Sequence, residues 1–323
     1  MKKIVSIIMP CYNAGKYIKE AINSVLNQSY KDLELIIIDD GSTDESLHII
    51  DSFNDTRIVL YKQEHLGACV ARNKGIALAK GEYIKFLDAD DILFLDCLSN
   101  QISQIHQLKS NQIPFGDYCH IDDKGELLGC FLFEKNNNML SILEQDQPFF
   151  FFNYWHVLIS APLLRREDLI KIGGFDIDLK RGQEFDLHFR LALSGVEFIY
   201  LPCNTFSYRE YTSESRITSR GRVDKKMMEE YALQRVLKVE KLLNIHYGRI
   251  PTKYSSFFVN YWFSRAREEF SKKDMAQGIE NLYKSMNYEY RTPFMLCYRL
   301  IGNLIGFINL ESVLRFRLKL IGK

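Results

Sequence analysis

Residues 4–42, IVSIIMPCYNAGKYIKEAINSVLNQSYKDLELIIIDDGS, contain the pattern that decides the fold. Residues 4–9 form a continuous apolar run, which is typical of a strand buried on both faces of a sheet. Residues 33–38 form a second such run. Between the two runs, apolar residues recur at the spacing of one helical stripe, at Ile18, Ala21, Ile22, Val25 and Leu26. The stretch therefore predicts a strand, a helix and a second strand.

The same alternation continues to residue 87. Residues 42–45, STDE, predict a capping box that opens a second helix extending to about residue 53. Further predicted elements are strands at 57–61 and 83–87 and a helix at 68–79. Strands that alternate with helices through short connections favour a mainly parallel sheet with helices on both faces. The sequence therefore predicts the α/β fold class.

The pattern weakens after residue 91 and becomes helical and basic after residue 220. The aromatic stretch PFFFFNYWH at 148–156 is predicted to pack in the core or to line a cleft. The remaining predicted elements are a helix at 184–193 and strands at 118–123 and 196–201. We therefore divide the chain into an α/β domain, residues 1–220, and a helical C-terminal region, residues 221–323.

Composition and charge exclude several classes of protein. The chain has 323 residues, of which 46% are hydrophobic and 26% charged, and its net charge is +1. These values exclude a disordered chain, a disulfide-rich miniprotein and an overall basic nucleic-acid-binding protein. The charge is unevenly distributed, with a net −8 in residues 1–220 and a net +9 in residues 221–323. An acidic first part is compatible with cation binding, and a basic last part suggests an anionic partner.

The cysteines and apolar segments predict a cytoplasmic protein. The seven cysteines are odd in number and include no C-x-x-C pair, so neither a zinc site nor a disulfide framework is expected. The N-terminal apolar run stops at Pro10, too early for an export signal. No run of 18 apolar residues is present, so no segment is expected to span a bilayer.

Acidic side chains follow two of the predicted strands. Asp39 and Asp40 follow the second strand, and Asp88, Asp90 and Asp91 follow the fourth. Ligands of open α/β sheets bind beyond the carboxyl ends of the strands, where these carboxylates would converge. Grouped carboxylates are costly unless a cation or hydrogen-bond donors compensate them, and a divalent metal prefers oxygen ligands. The sequence therefore predicts a metal or ligand site at this edge.

Four segments resemble family 2 glycosyltransferases, which are inverting enzymes of the GT-A type. Residues 5–46, VSIIMPCYNAGKYIKEAINSVLNQSYKDLELIIIDDGSTDES, resemble the opening of that family, and residues 67–91, GACVARNKGIALAKGEYIKFLDADD, resemble its second block. IGGFD at 172–176 and GQEFDLHFRLAL at 182–193 resemble its acceptor-side segments. The resemblance implies a GT-A fold, a nucleotide-diphosphate sugar donor and a divalent metal, Mn²⁺ or Mg²⁺.

The resemblance also implies roles for residues on the donor side. Pro10 and Tyr12 would flank the nucleobase, and Asp40 would accept a hydrogen bond from it. Arg72 would stabilise the donor-side carboxylates or the diphosphate. A carboxylate can accept such a bond from a ring N–H, as in uracil or guanine.

The metal and the general base are implied in the same way. Asp90 resembles the position that coordinates the metal, and Asp88 the position that faces the ribose or a metal-bound water. Glu184 occupies the position of the general base, although the family often has Asp there. Asp186 is expected to be a structural partner of a nearby arginine or of a backbone group. The mid-helix His188 is expected to be packed in the core.

A second departure from the family pattern lies after Tyr208. Family members often carry a His shortly after a Tyr-Arg pair, whereas this chain has none, so no histidine ligand to the metal is expected. Arg209, Arg216 and Ser219 are candidate phosphate contacts or surface residues of this loop.

The resemblance implies a hexosyltransferase-like, inverting, metal-dependent glycosyltransferase of cell-surface glycan synthesis, with a glycan or lipid-linked acceptor. Two alternatives remain: a sugar-1-phosphate nucleotidyltransferase, or a non-catalytic module that binds nucleotide sugars. The absence of G-x-G-x-x-G and of a P-loop motif argues against dinucleotide oxidoreductases and P-loop enzymes. The apolar segment 290–323 carries a net +5 and predicts peripheral attachment to the inner face of the plasma membrane. Alternatively, it packs on the domain or forms an oligomer interface.

Overall fold

A computed structural model describes residues 4–136, 138–154, 157–211, 225–272 and 274–286. The strands are β1 Val5–Cys11, β2 Leu33–Asp39, β3 Ile58–Lys62, β4 Tyr83–Phe86, β5 Ile92–Leu93, β6 Gln112–Ile121, β7 Leu127–Phe131, β8 Leu164–Arg165 and β9 Glu197–Arg209. The helices are α1 Ile18–Leu26, α2 Ser46–Asp51, α3 Ala68–Leu78, α4 Cys97–Ile105, α5 Met139–Gln145, α6 Gln147–Asn153, α7 Arg166–Lys171, α8 Gln183–Leu193, α9 Lys225–Tyr247, α10 Thr252–Ser271 and α11 Met275–Met286. A short 3₁₀ helix spans Phe133–Lys135.

The first sheet has the strand order β3-β2-β1-β4-β8. Strands β1 to β4 pair in parallel, and only the short edge strand β8 is antiparallel to its neighbour. In the central strand β1, Val5, Ile7 and Ile8 are fully buried, which explains why the apolar run is continuous. The predicted α/β class with a mainly parallel sheet and surrounding helices is confirmed.

Helix α3 lies unusually close to the central strand. A Cβ atom added at Gly75 would lie 2.3 Å from Cγ2 of Ile8, so the helix can approach β1 only because residue 75 has no side chain. Helix α3 follows the β3–α3 connection that borders the carboxyl edge of the sheet. The glycine therefore fixes the position of a helix that contributes to this edge.

A second sheet has the order β5-β9-β6-β7, in which β6 and β9 are parallel and the other pairs are antiparallel. Strand β9 continues well beyond the predicted end at residue 201, because register shifts near Gly116 and Asp117 keep it paired with β6. The sequence predicts no disulfide framework, but the structure contains one disulfide. The antiparallel register places Cys119 opposite Cys130, and the two form a disulfide.

The polar residues at 42–46 tie two loops together. The predicted capping box is wrong, since α2 begins at Ser46 with no side-chain cap from its N-cap residue. The hydroxyl of Ser42 instead accepts a hydrogen bond from the N–H of Asn13 (3.0 Å), and the hydroxyl of Ser46 accepts one from the N–H of Ala14 (2.9 Å). These bonds hold the loop after β1 against the loop after β2, at the carboxyl edge of the sheet.

The chain divides into two compact units, Met1–Ala232 and Leu233–Lys323. The first unit contains both sheets, and in the second α10 packs against α11. The boundary that the sequence places after residue 220 lies within 212–224, outside the described residues, as does the segment 290–323. Among the helices described above, none combines the length and apolarity that a bilayer-spanning segment needs.

Candidate active site

A cavity of about 650 Å³ opens at the carboxyl ends of β1, β2 and β4, within the first unit. Its wall includes the loop after β1, the start of α3, the end of β4, the end of α6 and the first turns of α8. This is the place where ligands of open α/β sheets bind.

Asp40 anchors one end of the cavity. The residue is 3% exposed, and Oδ1 accepts hydrogen bonds from Nε2 of Gln63 (2.7 Å) and from the N–H of Leu66 (2.9 Å). Oδ2 accepts a third from the N–H of Gly67 (2.9 Å). These donors compensate the buried carboxylate and fix the loop that leads into α3. Asp40 therefore shapes this end of the cavity.

Two aromatic rings lie beside Asp40 at the cavity surface. The ring of Tyr12 stacks on that of His65, with centroids 4.0 Å apart, and Nδ1 of His65 lies 3.0 Å from Oδ2 of Asp40. Both rings are more than one-third exposed, and Pro10 lines the cavity next to them. The arrangement presents aromatic surface beside a carboxylate, which suits a planar ring that carries N–H groups.

Arg72 connects three elements in the middle of the cavity. Its side chain is buried, with Nη2 donating to Oδ1 of Asp88 (2.6 Å) and Nη1 to Oε1 of Gln183 (2.8 Å). The guanidinium also lies over the ring of Phe175, 5.3 Å from its centroid. Arg72 thus joins α3, the end of β4 and the start of α8, and it places a positive charge between acidic side chains.

Asp90 is held by the end of β9. Its Oδ2 accepts a hydrogen bond from the hydroxyl of Tyr211 (2.9 Å), and its carbonyl accepts one from Nε of Arg209 (3.0 Å). Arg209 is 1% exposed and also pairs with Glu20. The candidate role of Arg209 as a phosphate contact or surface residue is therefore wrong, since burial and these partners occupy its guanidinium.

Asp88 and Asp90 are the residues that fit a divalent metal. In the part of the chain that the structure describes, no three His, Cys, Asp or Glu side chains are grouped as a metal site. Mg²⁺ is usually held by one or two carboxylates, with substrate phosphates and water completing its coordination. Two carboxylates that line one cavity satisfy that requirement.

Glu184 lies in the first turn of α8 and lines the same cavity. Burial raises the pKa of its carboxyl group, the charge of Arg72 opposes that shift, and the charge of Asp88 adds to it. Asp186 is occupied elsewhere, because Oδ2 accepts bonds from Nε (2.8 Å) and Nη2 (2.6 Å) of Arg190. The predicted pairing of Asp186 with an arginine is confirmed, and it leaves Glu184 as the α8 carboxylate at the cavity.

The other end of the cavity is aromatic. Residues 148–154 of the predicted aromatic stretch include Phe150, Phe151 and Phe152, all buried, which confirms its place in the core. Phe151 and Tyr154 also line the cavity, together with Phe185 of α8. Residues 155 and 156 lie outside the described residues.

Comparisons with known proteins identify the family of the chain. The family model "Glycosyl transferase family 2" matches residues 6–127. The glycosyltransferase GlyG of Streptococcus pneumoniae serotype 4 is 32% identical over 220 residues, which cover 65% of this chain and 71% of GlyG. The chain belongs to glycosyltransferase family 2.

Two further proteins are similar to this family 2 glycosyltransferase. The putative teichuronic acid biosynthesis glycosyltransferase TuaG of Bacillus subtilis is 40% identical over 134 residues, 41% of this chain and 53% of TuaG. TarS 1-349 of S. aureus, solved in complex with UDP-GlcNAc, superposes with a TM-score of 0.59 at 16% identity and covers 88% of this chain and 92% of that one. The TarS likeness concerns the fold, which is the GT-A fold that the sequence predicts.

All seven predicted site residues line the one cavity: Pro10, Tyr12, Asp40, Arg72, Asp88, Asp90 and Glu184. Sequence reasoning missed His65, Gln183 and Tyr211, which contact Tyr12, Arg72 and Asp90 respectively. Gln183 stands next to Glu184 and could have been suspected, whereas no sequence pattern marks the other two. Arg216 and Ser219 lie outside the described residues.

Proposed function

We propose that this family 2 glycosyltransferase moves a sugar from a nucleotide-diphosphate sugar to an acceptor hydroxyl, with inversion at the anomeric carbon. The observation that carries the proposal is that one cavity is lined by Asp40, Asp88, Asp90 and Glu184, with Arg72 donating a hydrogen bond to Asp88. The aromatic rings of Tyr12 and His65 mark its nucleobase end, and Glu184 marks its acceptor side.

The residues near Asp88 would bind the diphosphate. Asp88 and Asp90 would hold a divalent metal against the phosphate oxygens, and Arg72 keeps Asp88 in place. When bound, such an ion supplies positive charge that neutralises the departing nucleoside diphosphate. Tyr211 fixes Asp90 by a hydrogen bond to its carboxylate, and Arg209 fixes it by a hydrogen bond to its backbone carbonyl.

Glu184 would act as the general base. A new bond forms between the acceptor oxygen and the anomeric carbon while the bond from that carbon to the diphosphate oxygen breaks. The electron pair of the broken bond leaves with the diphosphate, and the hydroxyl proton moves to the carboxylate of Glu184. A pKa raised by burial makes the carboxylate a stronger base than an exposed Glu, provided that it is ionised.

We propose a glycan or lipid-linked acceptor of cell-surface polysaccharide synthesis, encountered at the cytoplasmic side of a membrane. The support is the likeness to TuaG, whose name assigns it to teichuronic acid biosynthesis. TarS is solved with UDP-GlcNAc, which makes uridine nucleotides the first donors to examine.

Incubation of the full chain with a panel of nucleotide sugars, with Mg²⁺ or Mn²⁺, tests the proposal. Release of a nucleoside diphosphate together with a new glycoside is expected. Release of pyrophosphate would instead show a nucleotidyltransferase, and binding without turnover would show a binding module. The expected metal dependence is checked in excess EDTA and with Asp90→Asn, both of which should abolish turnover. Full activity in EDTA would overturn the metal site.

A further inference from the structure

His188 is a buried histidine that the mechanism above does not use. It lies one helical turn after Glu184 in α8, and its side chain is 1% exposed. Its ring packs against those of Phe151 and Phe198, with centroids 5.5 and 5.3 Å away. The expected packing in the core is confirmed, yet the residue also belongs to the wall of the active-site cavity.

The ring has one nitrogen without a protein partner. Burial lowers the pKa of His188 to about 3, and a hydrogen bond to the backbone of Val157 acts in the opposite direction. The imidazole is therefore neutral at physiological pH, with one N–H and one lone pair. Because the hydrogen bond to Val157 favours the protonated ring, the ring is its donor. That bond therefore uses the N–H of the neutral imidazole. Nε2 has no hydrogen-bond partner among the described residues and carries the lone pair.

The surroundings of His188 suit a sugar ring. Phe151, Tyr154 and Phe185 give this end of the cavity aromatic surface, which accommodates the C–H faces of a pyranose. A buried acceptor that is left without a donor is unfavourable, so the unpartnered nitrogen of a residue that lines the cavity favours a ligand with an O–H group over an apolar one. The carboxylate of Glu184 lies one turn away, on the side of Arg72 and Asp88.

We propose that Nε2 of His188 accepts a hydrogen bond from a ring hydroxyl of a sugar bound at the aromatic end of the cavity, and so helps to determine which sugar reacts. This inference rests on the proposed function. The sugar is that of the acceptor or that of the donor. The position beyond Glu184, away from Arg72, favours the acceptor.

The test compares the full chain with His188→Phe, which keeps an aromatic ring and removes the nitrogen, and with His188→Gln, which restores an acceptor oxygen. His48→Phe, at an exposed position of α2, is the matched control. Calorimetry measures the affinities for UDP and UDP-GlcNAc, and kinetics measure the KM for a panel of 4-nitrophenyl glycosides. Nitrogen NMR of the histidine-labelled chain follows the Nε2 resonance of His188, assigned by its loss in His188→Phe.

If the hydroxyl belongs to the acceptor sugar, His188→Phe should raise the KM for the glycosides about three- to ten-fold, as expected for the loss of one neutral hydrogen bond. His188→Gln should recover part of this loss, and both nucleotide affinities should be unchanged. If the hydroxyl belongs to the donor sugar, His188→Phe should lower only the affinity for UDP-GlcNAc. In either case the Nε2 resonance shifts when the sugar binds.

An Nε2 resonance that no glycoside or UDP-GlcNAc moves, together with unchanged affinities and KM values, would overturn the inference. Failure of the wild-type chain to bind UDP, or any other nucleoside diphosphate, would instead count against the proposed function. The resonance still reports sugar binding in that case, so the two failures are distinguishable.

Discussion

Glu184, the proposed general base, carries a cost to the stability of the fold. Burial raises the pKa of its carboxyl group, so the ionised form is less favourable in the folded chain than in the unfolded one. The destabilisation begins above the unfolded pKa and is complete above the folded pKa. The side chain is therefore most costly to stability in the pH range where it can accept a proton.

The first prediction concerns Glu184→Gln. This change should lower kcat by about 10²–10⁴-fold, the usual contribution of a general base. It should leave UDP affinity unchanged and raise the melting temperature at neutral pH, because a charge that desolvation disfavours is removed while Arg72 keeps Asp88 as its partner. Steady-state kinetics, calorimetry and thermal unfolding check the three parts.

Asp186→Asn is the matched control, since Asp186 is the other acidic residue of the same turn and its pair with Arg190 is largely buried. Removing one partner of a buried pair costs about 3 kcal/mol of stability. The melting temperature should therefore fall, while the kcat of the folded fraction stays near that of the wild type. A large loss of kcat in Asp186→Asn and a small one in Glu184→Gln would identify Asp186 as the base.

The second prediction is the pH dependence of turnover. A base acts only when ionised, so kcat should rise with pH through the pKa of Glu184. Because burial is the largest influence on that pKa, the acidic limb should lie above the ordinary value of 4.5 for a glutamate. Profiles of kcat measured with saturating donor and acceptor check this. A limb at or below 4.5 would contradict the assignment.

The third prediction concerns Tyr211→Phe. The hydroxyl of Tyr211 donates to Oδ2 of Asp90, so its removal leaves that carboxylate less firmly oriented. The metal-dependent part of UDP affinity should weaken about three- to ten-fold, as expected for one hydrogen bond. Calorimetric titration of UDP with and without Mn²⁺ measures it. Tyr61→Phe, on β3, is the control and should change UDP affinity neither with nor without Mn²⁺. If Tyr211→Phe weakened UDP binding equally without metal, the effect would be a general structural one.

At the scale of elements, the first sheet could be predicted because burial on both faces leaves continuous apolar runs in β1 and β2. The second sheet could not, because β6 pairs with β9 more than 80 residues along the chain and no local pattern encodes that register. The local antiparallel pairing of β6 with β7 brings Cys119 opposite Cys130, which a search for spaced cysteine motifs does not detect. Likewise, Ser42 resembled a helix cap but bonds to a neighbouring loop.

The fourth prediction is that Gly75→Ala destabilises the protein. Helix propensity alone predicts a gain of about 0.5–1 kcal/mol for alanine inside a helix. The added Cβ would, however, lie 2.3 Å from Cγ2 of Ile8 in the central strand, and overpacking of a core costs about 1–3 kcal/mol. A net loss of stability is expected in urea unfolding. Because the change shifts α3 against the sheet, UDP affinity should fall too, and a stabilised variant would contradict the close packing.

At the scale of the whole molecule, the site was predictable where it follows strand ends. Asp40, Asp88 and Asp90 lie at the carboxyl edge because parallel strands end together, and the family resemblance added Arg72 and Glu184. His65 contacts Tyr12, which lies 53 positions earlier in the chain, and Tyr211 contacts Asp90, which lies 121 positions earlier. No sequence motif records contacts between residues so far apart. Their contribution is visible only when the connections between the elements are known.

The last prediction concerns the segment 290–323, which lies outside the described residues. Its net +5 is interspersed with Phe, Leu and Ile, a composition that favours the interface of an anionic membrane. Each basic side chain near such a surface contributes about 1 kcal/mol, so replacing Arg315, Arg317 and Lys319 by Gln should weaken vesicle binding about a hundred-fold at low salt. Co-sedimentation with phosphatidylserine-containing vesicles measures the loss, and neutral phosphatidylcholine vesicles should retain little of either protein.

The matched control for this variant replaces three exposed lysines of the first unit, Lys31, Lys62 and Lys80, by Gln. It removes the same charge from a different part of the chain, so a general electrostatic attraction would weaken equally in both triple variants. Selective loss in the 315–319 variant would support attachment through the segment, because local charge beside apolar side chains is what an interfacial helix requires. Equal retention of wild-type and 315–319 variant chains would instead favour a segment that packs on the domain or forms an oligomer interface.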